Sequence, residues 1–163
     1  MTHATLNVHD FFECSEESKK YWLSQMKNCD WGGGIWLGEL LENEKNGEFF
    51  RLCGDKSKVF LLVENAGGKL ISFCTYAEKD DIQPTELTPW IGFVYTFPEF
   101  RGRRAFGNLV SHIEKAAKSD GHKAIYVSTN ETGLYEKYGF EFFAMMKDFR
   151  GEDSRVYKKT IEN

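Results

Sequence analysis

Four consecutive residues, Arg101-Gly102-Arg103-Arg104, concentrate positive charge in a chain that is otherwise acidic. They follow Pro98-Glu99-Phe100 and lead into a segment where Phe106, Leu109, Val110, Ile113 and Ala117 recur at helical spacing on one face. Ahead of them, Trp90-Ile91-Gly92-Phe93-Val94-Tyr95 is a compact aromatic and β-branched run that suits a buried strand. Strand, glycine-bearing basic turn and amphipathic helix together make an arrangement that can hold an anion. The first amides of a helix have no partner inside it, and the macrodipole adds partial positive charge at that end. A preceding turn can add further amides and cationic side chains, and Gly102 lets the backbone bend and a ligand approach closely. A solvated basic turn has the same composition, so these residues alone leave both readings standing.

A second stretch narrows the choice. Asn130-Glu131-Thr132-Gly133-Leu134-Tyr135-Glu136-Lys137-Tyr138-Gly139-Phe140 follows a short strand pattern at Ala124–Thr129. Together, RGRRAFGNLV at 101–110, IYVST at 125–129 and GLYEKYGFEF at 133–142 resemble the GNAT superfamily of acyl-CoA-dependent N-acetyltransferases. Its members carry an R/Q-x-x-G-x-G/A pyrophosphate loop opening a helix and a later L-Y-E-K-x-G-F segment, of which the second is the more specific. Two positions depart from the loop pattern. Arg104 stands at the fourth-position glycine and Phe106 at the last small residue, with Gly107 one place later. The departures predict a narrower approach for the phosphates.

The resemblance implies an α/β fold with a mixed, mostly antiparallel central sheet flanked by helices, one domain over residues 1–163. It implies acetyl-CoA as cosubstrate and direct attack by a primary amine while both are bound. Arg101, Gly102, Arg103, Arg104, Ala105, Phe106, Gly107 and Asn108 would hold the pyrophosphate, largely through the amides of residues 103–108. Phe93, Val94 and Tyr95 would pair with the pantetheine arm, and a bulge at that strand's end, with Gly92 as its relaxation point, would free an amide for the acetyl oxygen. Thr129, Asn130, Leu134 and Tyr138 would lie beside the arm, although Asn130 is equally suited to cap the following helix. Tyr135 matches the tyrosine that protonates the departing thiolate, a role for which a phenol pKa near that of a thiol is apt. Some relatives use a glutamate on the strand before the loop as a base. This strand has no acid, and Glu78, Asp80, Asp81 and Glu86 lie upstream in a polar loop, so no base is assigned.

The early helices of the family wall the acceptor pocket, which makes Trp31 and Trp36 candidates there. Trp36 also shares a helical face with Leu40, which favours core packing for it. Asp80 and Asp81, with Glu78 and Glu86, would suit a small cationic acceptor such as a polyamine or aminoglycoside. A protein or peptide acceptor, and a non-catalytic acyl-CoA-binding module, are the alternatives.

Composition bounds the rest. At 163 residues the chain can bury one sizeable core, and 41% hydrophobic with 28% charged residues is ordinary for a globular protein. A net charge of −4 argues against a general nucleic-acid binder. Cys14, Cys29, Cys53 and Cys74 form no C-x-x-C and read as reduced thiols of an intracellular chain. His3, His9, His112 and His122 lack ligand spacing, so no metal is expected. No signal peptide or membrane-spanning run is evident, which points to a cytoplasmic chain with no membrane partner. Monomer and homodimer both stay open.

Along the chain, residues 1–12 read as an extended lead-in, and Ser15 caps a helix running to about Asn28. Asp30-Trp31-Gly32-Gly33-Gly34 reads as a flexible connector to a helix from Ile35 to Leu41 that ends before Asn46-Gly47, and Glu48–Leu52 as one helical turn. Strands are expected at Lys58–Glu64 and Lys69–Tyr76 around an Asn65–Gly68 turn, then a loop over Glu78–Thr88. After the strand at 124–129 come a two-turn helix at 131–138 and a closing hairpin of 140–147 and 154–160 with Gly151 in its turn.

Overall fold

A computed structural model describes residues 5–43, 47–65 and 68–162. His3, Asn46 and the Ala66-Gly67 centre of the expected turn lie outside the described residues. Seven strands form one sheet: β1 (Leu6–Asp10), β2 (Lys58–Glu64), β3 (Leu70–Ala77), β4 (Trp90–Thr96), β5 (Ala124–Thr129), β6 (Glu141–Lys147) and β7 (Asp153–Thr160). Their spatial order is β1-β2-β3-β4-β5-β7-β6. Every pairing is antiparallel except β4 with β5. The expected mixed, mostly antiparallel sheet is the one observed.

Helix α4 (Phe106–Ser119) covers one face, burying Phe106, Leu109, Val110, Ile113 and Ala117 against Phe60, Leu62, Ile71 and Ile125. Helices α1 (Glu16–Lys27), α2 (Gly32–Glu42) and α3 (Glu48–Cys53) cover the other face, with Trp22, Met26, Leu37, Leu41 and Phe49 packed on Val59, Leu61 and Phe73. The Ser15 hydroxyl caps α1 by accepting from the Ser18 amide at 3.1 Å, with Glu16 and Glu17 in the first turn, which the N-terminal dipole favours.

Three expectations are corrected. The glycines at 32–34 are not a connector but the first turn of α2. A Cβ on Gly33 would stand 2.5 Å from the Trp31 indole, and one on Gly34 would stand 2.7 Å from Cys29 Sγ and 3.0 Å from Phe73. Glycine is therefore favoured at 33 and 34 by crowding, not by flexibility, while Gly32 has open space beside it. Trp36 is not in the core: the buried stripe of α2 runs through Gly34, Leu37, Gly38 and Leu41, which leaves Trp36 47% exposed. The helix expected at 131–138 is only a 3-10 turn at Tyr135–Tyr138. Left-handed Gly133 and Gly139 bracket it, and the Glu136 carboxylate holds its start by accepting from the Gly133 amide at 2.8 Å.

Ile113 is fully buried at the middle of α4. Ile113→Ala is expected to cost about 2–5 kcal/mol, read as a lower urea midpoint with an unchanged slope.

Candidate active site

The parallel pair in the sheet is short. β4 meets β5 only at Trp90–Tyr126 and Ile91–Val127, and beyond Ile91 no pairing between them continues. On its other side β4 carries an extra residue: Phe73 pairs with Tyr95 and Thr75 with Gly92, so three steps on β4 oppose two on β3. The bulge centres on Phe93, whose φ of 48° is left-handed. The expected bulge is present, but Gly92 does not relax it. A Cβ on Gly92 would stand 2.2 Å from Asp80 Oδ1, so glycine is needed there for close approach of the carboxylate. Parted strands and bulge open a cleft of about 1100 Å³.

Of the residues assigned from sequence, the cleft is lined by Trp31, Asp80, Asp81, Phe93, Val94, Tyr95, Arg101, Gly102, Arg104, Ala105, Phe106, Thr129, Leu134, Tyr135 and Tyr138. Arg103, Gly107, Asn108 and Asn130 are not among its lining residues. The amides of Gly107 and Asn108 already donate to the carbonyls of Arg104 and Ala105, both at 3.0 Å. Gly107 instead makes room for the Tyr138 ring, 3.3 Å from where its Cβ would be. Among the described residues, the amides of 102–106 have no backbone acceptor, and Ala105 before α4 offers no side-chain cap. Gly102 has φ 79° with open space where a Cβ would point. This turn therefore presents bare amides and arginines, the donor set that suits a pyrophosphate.

Arg104, at the glycine position of the loop pattern, adopts φ 54°, the backbone state that glycine supplies without steric cost. Phe106 turns inward, 5% exposed and edge-on to Tyr135 at 6.0 Å and Tyr138 at 5.3 Å. Its bulk props the tyrosines from below. Arg101 is tied down: Nε donates to the Thr96 carbonyl at 2.9 Å, and the guanidinium lies 5.3 Å from the Tyr95 ring centre. The Tyr95 hydroxyl donates to Asp30, which also lies 3.8 Å from the Arg101 guanidinium.

Tyr135 is buried among Phe106 and Phe140. Burial pushes its pKa up, with Cys74, Glu131 and Asp80 adding to the effect, so the phenol stays protonated. Across the cleft, the Asp80 carboxyl is pushed up to about 8, first by burial and then by the like charge of Asp81. From sequence, Asp80 sits in a polar loop and is offered for the acceptor's charge, with no base assigned. The missed signal is Gly92, because a glycine inside an aromatic strand marks a close approach. Glu78 is committed elsewhere, accepting from the Lys56 amide at 2.6 Å, and Glu86 does not line the cleft. Two buried oxygens near this acid pair, Thr75 Oγ1 and Asp81 Oδ1, make no hydrogen bond within the described chain. On the same side stand Trp36 and Phe93, with ring centres 5.7 Å apart, and Trp31, stacked on Tyr95 at 6.0 Å and 9°. Among the described residues, no three His, Cys, Asp or Glu side chains gather as a metal site, and no helix is long and apolar enough to cross a membrane.

Comparison with known proteins identifies the family and the fold. The model of the acetyltransferase (GNAT) family matches residues 21–140. The fold is similar to that of a GNAT family N-acetyltransferase from Escherichia coli in complex with CoA, at TM-score 0.67 and 13% identity over 99% of this chain and 84% of that one. An aminoglycoside 6'-N-acetyltransferase complexed with coenzyme A gives TM-score 0.66 and 15% identity over 96% and 98% of the two chains. A GNAT family acetyltransferase from Elizabethkingia anophelis with acetyl-CoA bound gives 0.60 and 16% over 95% and 97%. At such identities the likeness is one of fold. No curated protein sequence matches the chain.

Replacing Arg104 by glycine relieves the left-handed side chain but frees the unfolded backbone. The expected net effect is a gain of about 0.5–1 kcal/mol in chemical denaturation. A loss would mean that the Arg104 side chain holds the loop.

Proposed function

The chain belongs to the acetyltransferase (GNAT) family, and from that premise we propose that it transfers the acetyl group of acetyl-CoA to the primary amine of a small molecule, both being bound at once. The observation that carries this reading is a single cleft where a basic turn with bare amides, the opened edge of β4, a buried tyrosine and a carboxyl of raised pKa all meet. Acetyl-CoA supplies the activated acyl group as a thioester. The amides of 102–106 and the Arg104 guanidinium hold its phosphates, with the start of α4 adding the favourable end of its dipole. The edge of β4 freed beyond Ile91 offers backbone groups to an extended arm, in the manner of an added strand. The bulge at Phe93 turns an amide out of the ladder, where it can polarise an acyl oxygen.

Asp80 binds the incoming ammonium and takes its proton. A carboxyl whose pKa lies near the working pH can do both. Tyr135 holds a proton on its hydroxyl and delivers it to the departing sulfur. Direct transfer needs the amine and the acyl group in the same cleft, and Asp80 and Tyr135 both line it.

Release of CoA thiol with a panel of primary amines tests the assignment, and a protein that releases none with any amine overturns it. Tyr135→Phe keeps the ring and is expected to lower kcat roughly 100-fold, with acetyl-CoA affinity unchanged in calorimetry. Unaltered turnover would remove Tyr135 from the mechanism.

The pH dependence follows from Asp80. Its folded pKa lies above the unfolded carboxylate value, so the stability it contributes is complete below that unfolded value and is lost progressively as pH rises to about 8. Activity runs the other way, because the base must be ionised. The rate is expected to climb with an apparent pKa of about 8. Asp80→Asn should abolish that climb and flatten the fall in stability below about pH 8. A climb that survives in Asp80→Asn assigns the base elsewhere.

A further inference from the structure

The α2 side of the cleft is built around rings, and its sequence gives up helix stability to seat one of them. Three glycines form the first turn of α2, a poor helix start, and the space left beside Gly33 and Gly34 is filled by the Trp31 indole. That indole remains 37% exposed and lines the cleft. Trp36, one turn on, is 47% exposed and also lines it, with Phe93 between the two tryptophans at 6.5 and 5.7 Å. Exposed tryptophans held around a bulge residue form a wall suited to a flat apolar group.

The charges on this side are few and local. Asp30 is engaged by the Tyr95 hydroxyl and lies near Arg101. Glu131 also lines the cleft and acts on Tyr135, whereas the neighbours Asp80 and Asp81 are the acids beside Gly92 and Phe93, with Lys79 next to them in the same lining. The acid pair next to the aromatic wall suits an ammonium carried close to a flat apolar body.

Building on the acetyltransferase reading, we propose that the acceptor is an arylalkylamine: its aromatic body lies on the Trp31–Phe93–Trp36 wall and its primary ammonium reaches Asp80. The ammonium loses a proton to Asp80, and the nitrogen lone pair forms the amide bond as the carbon–sulfur bond of the thioester breaks. The sulfur leaves with a proton from Tyr135, and the second N–H proton, released as the amide forms, returns to the Tyr135 oxygen through solvent, while Asp80 gives its proton to bulk water.

Initial rates of CoA thiol release with tryptamine, 2-phenylethylamine, spermidine and kanamycin test this, alongside calorimetric binding of acetyl-CoA to the same protein. The two arylalkylamines are expected to exceed spermidine and kanamycin by at least about 10-fold in kcat/KM. Trp36→Ala should lower kcat/KM for tryptamine about 10-fold, mainly through KM, while changing the value for spermidine by less than about twofold. Trp36→Phe should restore most of it. Gly33→Ala, which favours the helix but displaces the indole, should lower tryptamine turnover as well. Preferred turnover of spermidine or kanamycin overturns the proposal, as does an equal effect of Trp36→Ala on every amine. Acetyl-CoA binding with no arylalkylamine turnover overturns this acceptor while leaving the cofactor reading intact, whereas absent acetyl-CoA binding overturns both.

Discussion

The site depends on one break in the hydrogen-bonded ladder. β4 is held by β3 along its length but by β5 at only two positions, and the extra residue at Phe93 ensures that the strand cannot continue flat past Ile91. A continuous sheet would bury the edge of β4 and close the space between the helical layers. Opening it leaves backbone donors and acceptors without partners, which is costly unless they face solvent or a ligand. The fold compensates elsewhere, with Trp90 and Ile91 fully buried where the two strands still pair and aromatic cores on both faces. Strain is concentrated at Phe93 and Arg104, the two described non-glycine residues with positive φ, and both line the cleft.

Rings then set the positions of the reacting groups. Phe106 stands between α4 and the 3-10 turn, edge-on to Tyr135 and Tyr138, so the helix that begins at the basic turn also fixes the buried phenol. The carboxyl opposite is fixed by an absence, since Gly92 lacks the Cβ that would occupy its place. Burial acts on both groups in the same sense, disfavouring the anion. For the proposed chemistry the consequences differ: a phenol kept protonated is ready to donate, whereas a carboxyl must be drawn into its anionic form by an arriving ammonium.

Much of this was legible in the chain. The apolar stripe from Phe106 to Ala117 and the aromatic run at 90–95 have periods that admit one reading each, and burial followed both. Residues whose meaning depends on distant partners were not legible. The run Gly32-Gly33-Gly34 reads as a connector until the Trp31 indole, Cys29 and Phe73 are seen crowding Gly33 and Gly34. Trp36 was misplaced because two neighbouring apolar stripes compete on α2, and the small residues Gly34 and Gly38 mark the buried one. Asp80 is offered for the acceptor by its charge alone, because nothing local announces that it folds back onto Gly92.

The central claim is that the parted strands and the basic turn together hold acetyl-CoA, the turn by its phosphates and β4 by its arm. Calorimetric titration of the full chain with acetyl-CoA and, separately, with S-acetylpantetheine, which lacks the pyrophosphate, tests it directly. Saturable one-to-one binding of acetyl-CoA, at least about 100-fold tighter than that of S-acetylpantetheine, is the expected result. Equal affinity for the two, or no binding of acetyl-CoA, would contradict the account.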